Sequence, residues 1–395
     1  MVYCMLNAYV LPQKAERMRE NMRIGDPGML KILHTGDLHL DTAFASLDAR
    51  QAQIRKNEMR AAFTSMMTYA RMNAIDVILM AGDIFDNRFV TRETVQLMIR
   101  EFEKFDGPIC IAPGNHDYAD TDSVWRRTAF PDNVHIFTET ELMSISLPEK
   151  NCTVWGYGFT GQDLYDNLIR GRQVTDPAQY NLLVCHCDTM TDSSNGPVKE
   201  ADLRAFGADY AALGHWHNPP KAGERWAYCG CLEPRNFTEN GPKGACVAEI
   251  EKTAAGSVVR MKRVRFAKRR YETGMMDVTG CGTMEEIREA AAAYIAEHKY
   301  GEDVLLQLQL TGTVPEGLVI NPDLLGDMGL FALKIEDGTT PGLDLQALAA
   351  DKGIRGTFYR TLEPELTSSD PTRRETAMRA LRYGLAAIAG ENIIG

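Results

Sequence analysis

The nine cysteines include no Cys-x-x-Cys pair, which excludes a zinc ribbon and a thioredoxin-type redox centre. They are scattered, and Cys110, Cys185, Cys229 and Cys246 fall inside strand-like runs, where a reduced thiol acts as a small apolar side chain. Cys185 and Cys187 flank His186. Core filling outweighs a soft-metal role there, because free cysteine is so often buried. No apolar run is long enough to span a bilayer, and residues 1–28 have no apolar stretch followed by a small-residue cleavage site. Neither a membrane helix nor a secretory signal is expected, and the chain is read as cytoplasmic. Positive charge is short as well. A net charge of −11 lowers the expectation of a polyanionic partner, although a local basic surface or bound cations would be enough to hold one. Aromatic residues are not clustered as base stacking along a single strand requires.

What is present is an ordinary globular composition, 44% hydrophobic and 25% charged over 395 residues, long enough for two or three domains and a sizeable core. Residues 1–28 show no clear period and end in the breaker cluster Gly25-Asp26-Pro27-Gly28. They are expected to be either a disordered extension or the product of an upstream start codon assigned in error, and in both cases dispensable for folding and activity.

From residue 29 the pattern becomes regular. Leu30–Leu33 reads as a buried strand, Ala49–Asn73 as an amphipathic helix, Asp76–Ala81 as a strand, Thr91–Phe105 as a helix and Pro108–Ala112 as a strand. Successive strand-helix-strand units imply a parallel sheet with right-handed crossovers. Beyond residue 130 come short strands at Val134–Thr138, Leu142–Leu147, Cys152–Tyr157, Tyr180–Cys185 and Ala208–Leu213. Three further runs, Arg225–Cys229, Gly244–Glu251 and Ser257–Phe266, read as antiparallel strands. The expected architecture is an α/β two-sheet sandwich flanked by helices over 29–268, delivering loops from both sheets to one edge. A smaller α+β module over 269–345 follows. In it, Met275–Thr279 and Asp303–Thr311 read as strands, and Thr283-Met-Glu-Glu286 is a capping box opening a helix. A C-terminal helical segment over 346–395 carries Asp370-Pro371 as cap and first helical residue, an apolar stripe through Ala377, Leu381, Leu385 and Ile388, and Gly390 as its stop.

Polar clusters follow the strands. Asp37 and His39 follow the first, Asp83 and Asp86 the second, and Asn115 and His116 the third; His186 ends a later strand, and His215 and His217 follow another. Five of the eight histidines fall in these clusters. Each cluster has a plain reading, since glycine, aspartate and asparagine end strands and cap helices anyway, and Trp216 between His215 and His217 is better explained by packing than by base stacking. As a set, Asp37, His39, Asp83, Asn115, His186, His215 and His217 offer too many N and O donors for one tetrahedral zinc. They suit two divalent ions sharing one carboxylate, with Asp83 on the middle strand as the bridge. Such a pair can hold a hydroxide and clamp the entering and leaving oxygens of an in-line displacement at phosphorus. His116, next to Asn115, is then the proton donor, with Asp86 holding its ring.

Asp37-x-His39, Gly82-Asp83-x-x-Asp86, Gly114-Asn115-His116-Asp117, His186 and Gly214-His215-x-His217 resemble, in order, the blocks of the calcineurin-like metallophosphoesterases. The resemblance covers about residues 30–266. It implies one metal held by Asp37, His39, Asp83 and His217, the other by Asp83, Asn115, His186 and His215, with His116 as general acid oriented by Asp86 and Mn²⁺ as the ion. Leu33–Asp41, the segment Tyr228–Arg235 through Gly241-Pro-Lys-Gly244, and the appended module resemble the SbcD-type DNA-repair exonucleases. His186 is followed by Cys187 where that family commonly has a small residue, and the C-terminal region matches it loosely. This second resemblance implies DNA phosphodiester hydrolysis, an ATPase partner with a long coiled coil, and a homodimer. Arg260–Arg270, with seven basic residues, could follow a DNA backbone, or be a solvated edge strand that uses charge to block pairing. The alternatives to a nuclease are a phosphodiesterase or phosphatase acting on small phosphoesters such as cyclic nucleotides, and a non-catalytic scaffold. The scaffold has no need of so many costly polar groups at one rim.

Overall fold

The computed structural model describes residues 28–390 apart from 88, 192, 219–221 and 316. The extension expected at residues 1–28 therefore lies, save for Gly28, outside the described residues. The chain divides into two compact units on either side of Arg270–Tyr271.

The first unit opens with β1 (Met29–Thr35), α1 (Ala49–Met72), β2 (Val77–Met80), α2 (Arg92–Glu103), β3 (Ile109–Ile111) and β4 (Val134–Ile136). It continues with β5 (Met143–Leu147), β6 (Cys152–Gly156), β7 (Tyr180–His186), α3 (Glu200–Phe206), β8 (Tyr210–Gly214), β9 (Trp226–Tyr228), β10 (Ala245–Thr253) and β11 (Gly256–Val264). One sheet has the order β11-β10-β1-β2-β3-β4, and the other β5-β6-β7-β8-β9. The helical crossovers make β1 to β4 parallel, and β10 returns antiparallel beside β1.

The central strands are apolar on both faces because both are covered. On one face of the first sheet, Leu33, Ile78 and Ile111 pack on Met59, Phe63 and Met66 of α1 and Phe102 of α2. On the other, Ile32, Val77, Leu79 and Cys110 meet Val154, Leu182, Val184 and Ala212 of the second sheet. The far face of the second sheet carries Leu183, Cys185, Cys187 and Leu213 under Phe206 of α3. Each fully buried side chain of this size contributes roughly 1.5–3 kcal/mol. The Cys185 and Cys187 thiols thus lie in an apolar cluster, as expected of core filler. Of the expected antiparallel strands, β10 and β11 are so, but β9 pairs parallel with β8. β8 ends at Gly214 and β9 begins at Trp226, and the two run in the same direction.

The second unit contains β12 (Arg270–Asp277), α4 (Met284–Glu297), β13 (Val304–Thr311), β14 (Thr313–Pro315), β15 (Ala332–Asp337), β16 (Thr340–Gly342), α5 (Leu345–Ala350), α6 (Ile354–Leu366) and α7 (Pro371–Ala389). Residues 271–390 of the regions expected as a module over 269–345 and a helical segment over 346–395 fall together in it. β12, β13 and β15 form one sheet and β14 and β16 a second. Ile287, Ala291 and Ile295 of α4 share a core with Leu306, Leu308 and Leu310. Thr283 caps α4 by accepting from Glu286 N, while the Glu286 carboxylate turns back to Gly282 N at 2.5 Å. The stripe of α7 is buried at Ala377, Leu381 and Leu385, and Gly390 ends the helix at φ +79°. Among the described residues no helix is long and apolar enough to cross a membrane.

Candidate metal centre

The loops after β1, β2, β3 and β8, together with the last residue of β7, meet at one rim. Backbone bonds hold them there. Asp37 N and His39 N donate to Gly82 O and Asp83 O, each at 2.9 Å, so the loops after β1 and β2 continue the ladder of their strands. The buried Asp117 carboxylate accepts from Asp83 N, Ile84 N and Gly114 N at 3.0, 2.9 and 2.6 Å, tying in the loop after β3. His215 N donates to Asp37 Oδ1 at 3.0 Å and so joins the two sheets. This crossing needs glycine. A Cβ on Gly214 would stand 1.9 Å from Ala81 O, and one on Gly82, which sits at φ +82°, 2.7 Å from Gly114 N. Asp37, His39, Asp83 and His215 themselves lie at φ +49°, +43°, +51° and +113°. L-residues rarely adopt such angles, and strain of this kind persists only where the surroundings over-determine it.

Asp37, His39, Asp83 and His217 offer ligand atoms within 4.8 Å of one another. His39 Nε2 faces His217 Nε2 at 3.2 Å, and His217 Nε2 lies 3.8 Å from Asp37 Oδ1. His186 Nε2 stands 2.9 Å from Asn115 Oδ1, and its ring centroid lies 5.2 Å from that of His215. Asp83 joins the two sides. Its Oδ2 is 3.6 Å from His39 Nε2 and 3.5 Å from His186 Nε2. All the predicted ligand positions therefore lie at this rim. His215 is placed there by its backbone bond and its ring.

Burial holds the pKa values of His39 and His186 below the ordinary histidine range, so both rings are neutral donors. His186 Nδ1 lies 3.0 Å from Ala81 O, which fixes the tautomer that leaves Nε2 unprotonated. Two imidazole nitrogens facing each other beside two buried carboxylates make a donor set that suits cations, since buried charge must be paired or coordinate a metal.

His116 differs. Its side chain is 52% exposed, and its Nδ1 contacts Asp86 Oδ1 at 2.9 Å. That bond raises the His116 pKa against the opposing effect of burial. The same Asp86 oxygen contacts His39 Nδ1 at 3.0 Å, so one carboxylate orients two rings. Burial works against its charge, but the two imidazole bonds hold the Asp86 carboxyl well below the usual range.

Three groups at the rim are given no role by the sequence motifs. Glu239 lies 2.7 Å from His217 Nδ1, and Arg235 bonds Glu239 through Nε and Nη2 at 3.0 and 2.6 Å. Asp117 is the third, and its loop-tying role depends on backbone groups that no motif displays. Arg235 and Glu239 both lie within the segment Tyr228–Gly244, but nothing in it marks either as a partner of His217. Trp216 is half-buried and donates from Nε1 to Asp188 at 3.2 Å, as packing requires. Part of the basic run Arg260–Arg270 is engaged within its own unit, while Arg260, Lys262, Arg265 and Lys268 are exposed. Arg263 donates to the carbonyls of Cys229 and Gly244, Arg269 and Lys268 pair with Glu58, and β11 is the edge strand of its sheet. Exposed basic side chains on an edge strand are what the charged-edge and the backbone-tracking readings both expect.

Residues 30–219 match the calcineurin-like phosphoesterase family. The chain is 27% identical over 326 residues to the uncharacterized metallophosphoesterase YhaO of Bacillus subtilis (strain 168), covering 78% of each chain. It is 22% identical over 254 residues to the SbcD component of the nuclease SbcCD from Staphylococcus epidermidis, covering 56% of this chain and 66% of that one. It is 24% identical over 323 residues to the DNA double-strand break repair protein Mre11 of Methanopyrus kandleri, covering 73% and 66%.

Proposed function

Because the chain carries a calcineurin-like metallophosphoesterase domain over residues 30–219, we propose that it is a metal-dependent phosphodiesterase with a dinuclear centre. Asp37, His39, Asp83 and His217 would hold one divalent ion, and Asp83, Asn115, His186 and His215 the other, Mn²⁺ being the ion the family resemblance favours. When bound, such ions activate water and neutralise charge at phosphorus. The observation that carries this reading is the Oδ2 atom of Asp83, about equally far from His39 Nε2 and His186 Nε2.

The protein's own groups do the rest. Asp86 fixes the His116 ring through Nδ1, which leaves Nε2–H as the proton donor to the departing oxygen. The Asp86 bond raises the His116 pKa, which favours the protonated ring. Glu239 orients His217 through Nδ1, and Ala81 O orients His186.

DNA is the substrate favoured by the resemblance to nuclease and repair proteins, which would also bring an ATPase partner with a coiled coil and a homodimer. A specific observation favours a second reading, hydrolysis of small phosphoesters: Arg263 and Arg269, two members of the basic run best placed to follow a DNA backbone, are engaged in internal pairs. Metal analysis of Mn²⁺-loaded protein, followed by assays on labelled duplex DNA and bis-p-nitrophenyl phosphate, separates these. Two ions per chain and cleavage of both substrates are expected. Cleavage of the small ester alone removes the nuclease, and fewer than two ions removes the dinuclear centre.

A further inference from the structure

We propose that Arg235 is a substrate-binding residue whose guanidinium holds a non-bridging oxygen of the phosphoryl group seated at the centre. The inference rests on the phosphoesterase reading of that centre and names a contact it does not contain.

Position is the first argument. Arg235 Nη2 stands 2.8 Å from His217 Nδ1 and 3.5 Å from His217 Nε2, the nitrogen that faces His39 Nε2 at 3.2 Å. A group that close to a ligand nitrogen is within reach of whatever an ion there coordinates. The ring centroids of His217 and His116 lie 5.0 and 4.9 Å from that of His39. Arg235, His217, His39 and His116 therefore follow one another along one wall, with the cation at one end and the proposed acid at the other. The charge of Arg235 is felt along that wall, where it works to lower the pKa of both His39 and His116.

The second argument is what the guanidinium leaves over. One edge is engaged, since Nε and Nη2 both donate to Glu239 Oε1 and the backbone N donates to Glu239 Oε2 at 2.6 Å. Among the described residues Nη1 has no hydrogen-bond partner, on a side chain that is 15% exposed. A guanidinium presents two edges for planar acceptors. Glu239 takes one, and the edge through Nη1 is open to a second anion.

Charge is the third. A fixed cation beside a site built for divalent cations is repelled unless an anion lies between them. Glu239 offsets part of that repulsion and is itself held well below the usual carboxylate range, burial being outweighed by its bonds to His217 and Arg235. An incoming phosphoryl group would supply the rest.

The full chain, wild type and Arg235→Gln, is loaded with Mn²⁺ and measured three ways: metal content, affinity for inorganic phosphate by calorimetry, and kcat and KM for bis-p-nitrophenyl phosphate. Loss of one charge-assisted bond is expected to weaken phosphate binding about tenfold or more. KM should rise with it while metal content stays at the wild-type value. Phosphate affinity equal to wild type overturns the proposal, and so does joint loss of metal and phosphate, which would reduce Arg235 to a support for His217 through Glu239. Arg235→Met, which keeps an aliphatic stem without the charge, decides the question by the same outcomes should the glutamine variant misfold. If the wild type hydrolyses nothing but binds phosphate in an Arg235-dependent way, the phosphodiesterase reading fails and the Arg235 contact stands.

Discussion

Asp86 contacts two imidazoles with a single oxygen, and this makes two neighbouring substitutions distinguishable. His116→Ala removes only the exposed ring. Metal content should be unchanged while turnover falls by roughly 10² to 10⁴, the usual contribution of a positioned acid. Asp86→Ala also releases His39, so metal affinity should drop by about 10- to 100-fold along with turnover. Equal metal content in both variants would show that His39 needs no such support. A third residue reports on stability alone. Glu58 is buried against Arg55 and Arg269. Burial opposes its charge, but the bonds to these arginines bring its pKa down from 4.5 to about 2. The sign follows from the lowered folded-state value: the stabilisation is complete above the unfolded pKa and disappears as pH falls from 4.5 towards 2. Glu58→Gln should therefore lower Tm at pH 7 and make little difference near pH 2, which a pH series of thermal melts would check. At this scale the sequence was legible where polar groups directly follow strands, as at Asp37, Asp83 and His215. It was silent on Glu239, which reaches His217 only through the folded chain.

Among the elements, helices and central strands could be read because their apolar periods are long and both faces are covered; α1 and α2 lie within a few residues of their expected bounds. Pairing direction was harder. The run ending in Tyr228 has the composition of any short strand, and nothing in that composition sets it parallel to β8. The meeting of the two sheets was likewise hidden, since it depends on how closely Gly214 approaches Ala81. Gly214→Ala should push β8 away from β2 and disturb His215 and His217 together. The expected outcome is loss of bound Mn²⁺ with a lower Tm, and a variant that keeps its full metal content would show the approach to be incidental. In the second unit, Thr283→Ala removes the cap of α4 and should cost about 1 kcal/mol, measurable by urea denaturation.

For the whole molecule, each unit has its own apolar clusters, and the proposed ligands all belong to the first. A metal that binds only the folded form raises the stability of the unit that holds it by mass action. Differential scanning calorimetry should therefore show Mn²⁺ moving the transition of the first unit upward. A single transition shifted as one would mean that the whole chain melts cooperatively. The change of pattern near residue 270 lies at the boundary between the two units, whereas an apolar stripe such as that of α7 does not disclose what it packs on.

The place of β1 has a consequence for how the protein is made. Its neighbours are β2, which follows it closely, and β10, which is translated only after the second sheet has emerged. Until then β1 presents an unpaired hydrogen-bonding edge and a bare apolar face on the ribosome, the condition in which nascent chains aggregate. Yield in a rapidly translating host should accordingly depend on chaperone supply and on the rate of elongation through residues 36–245.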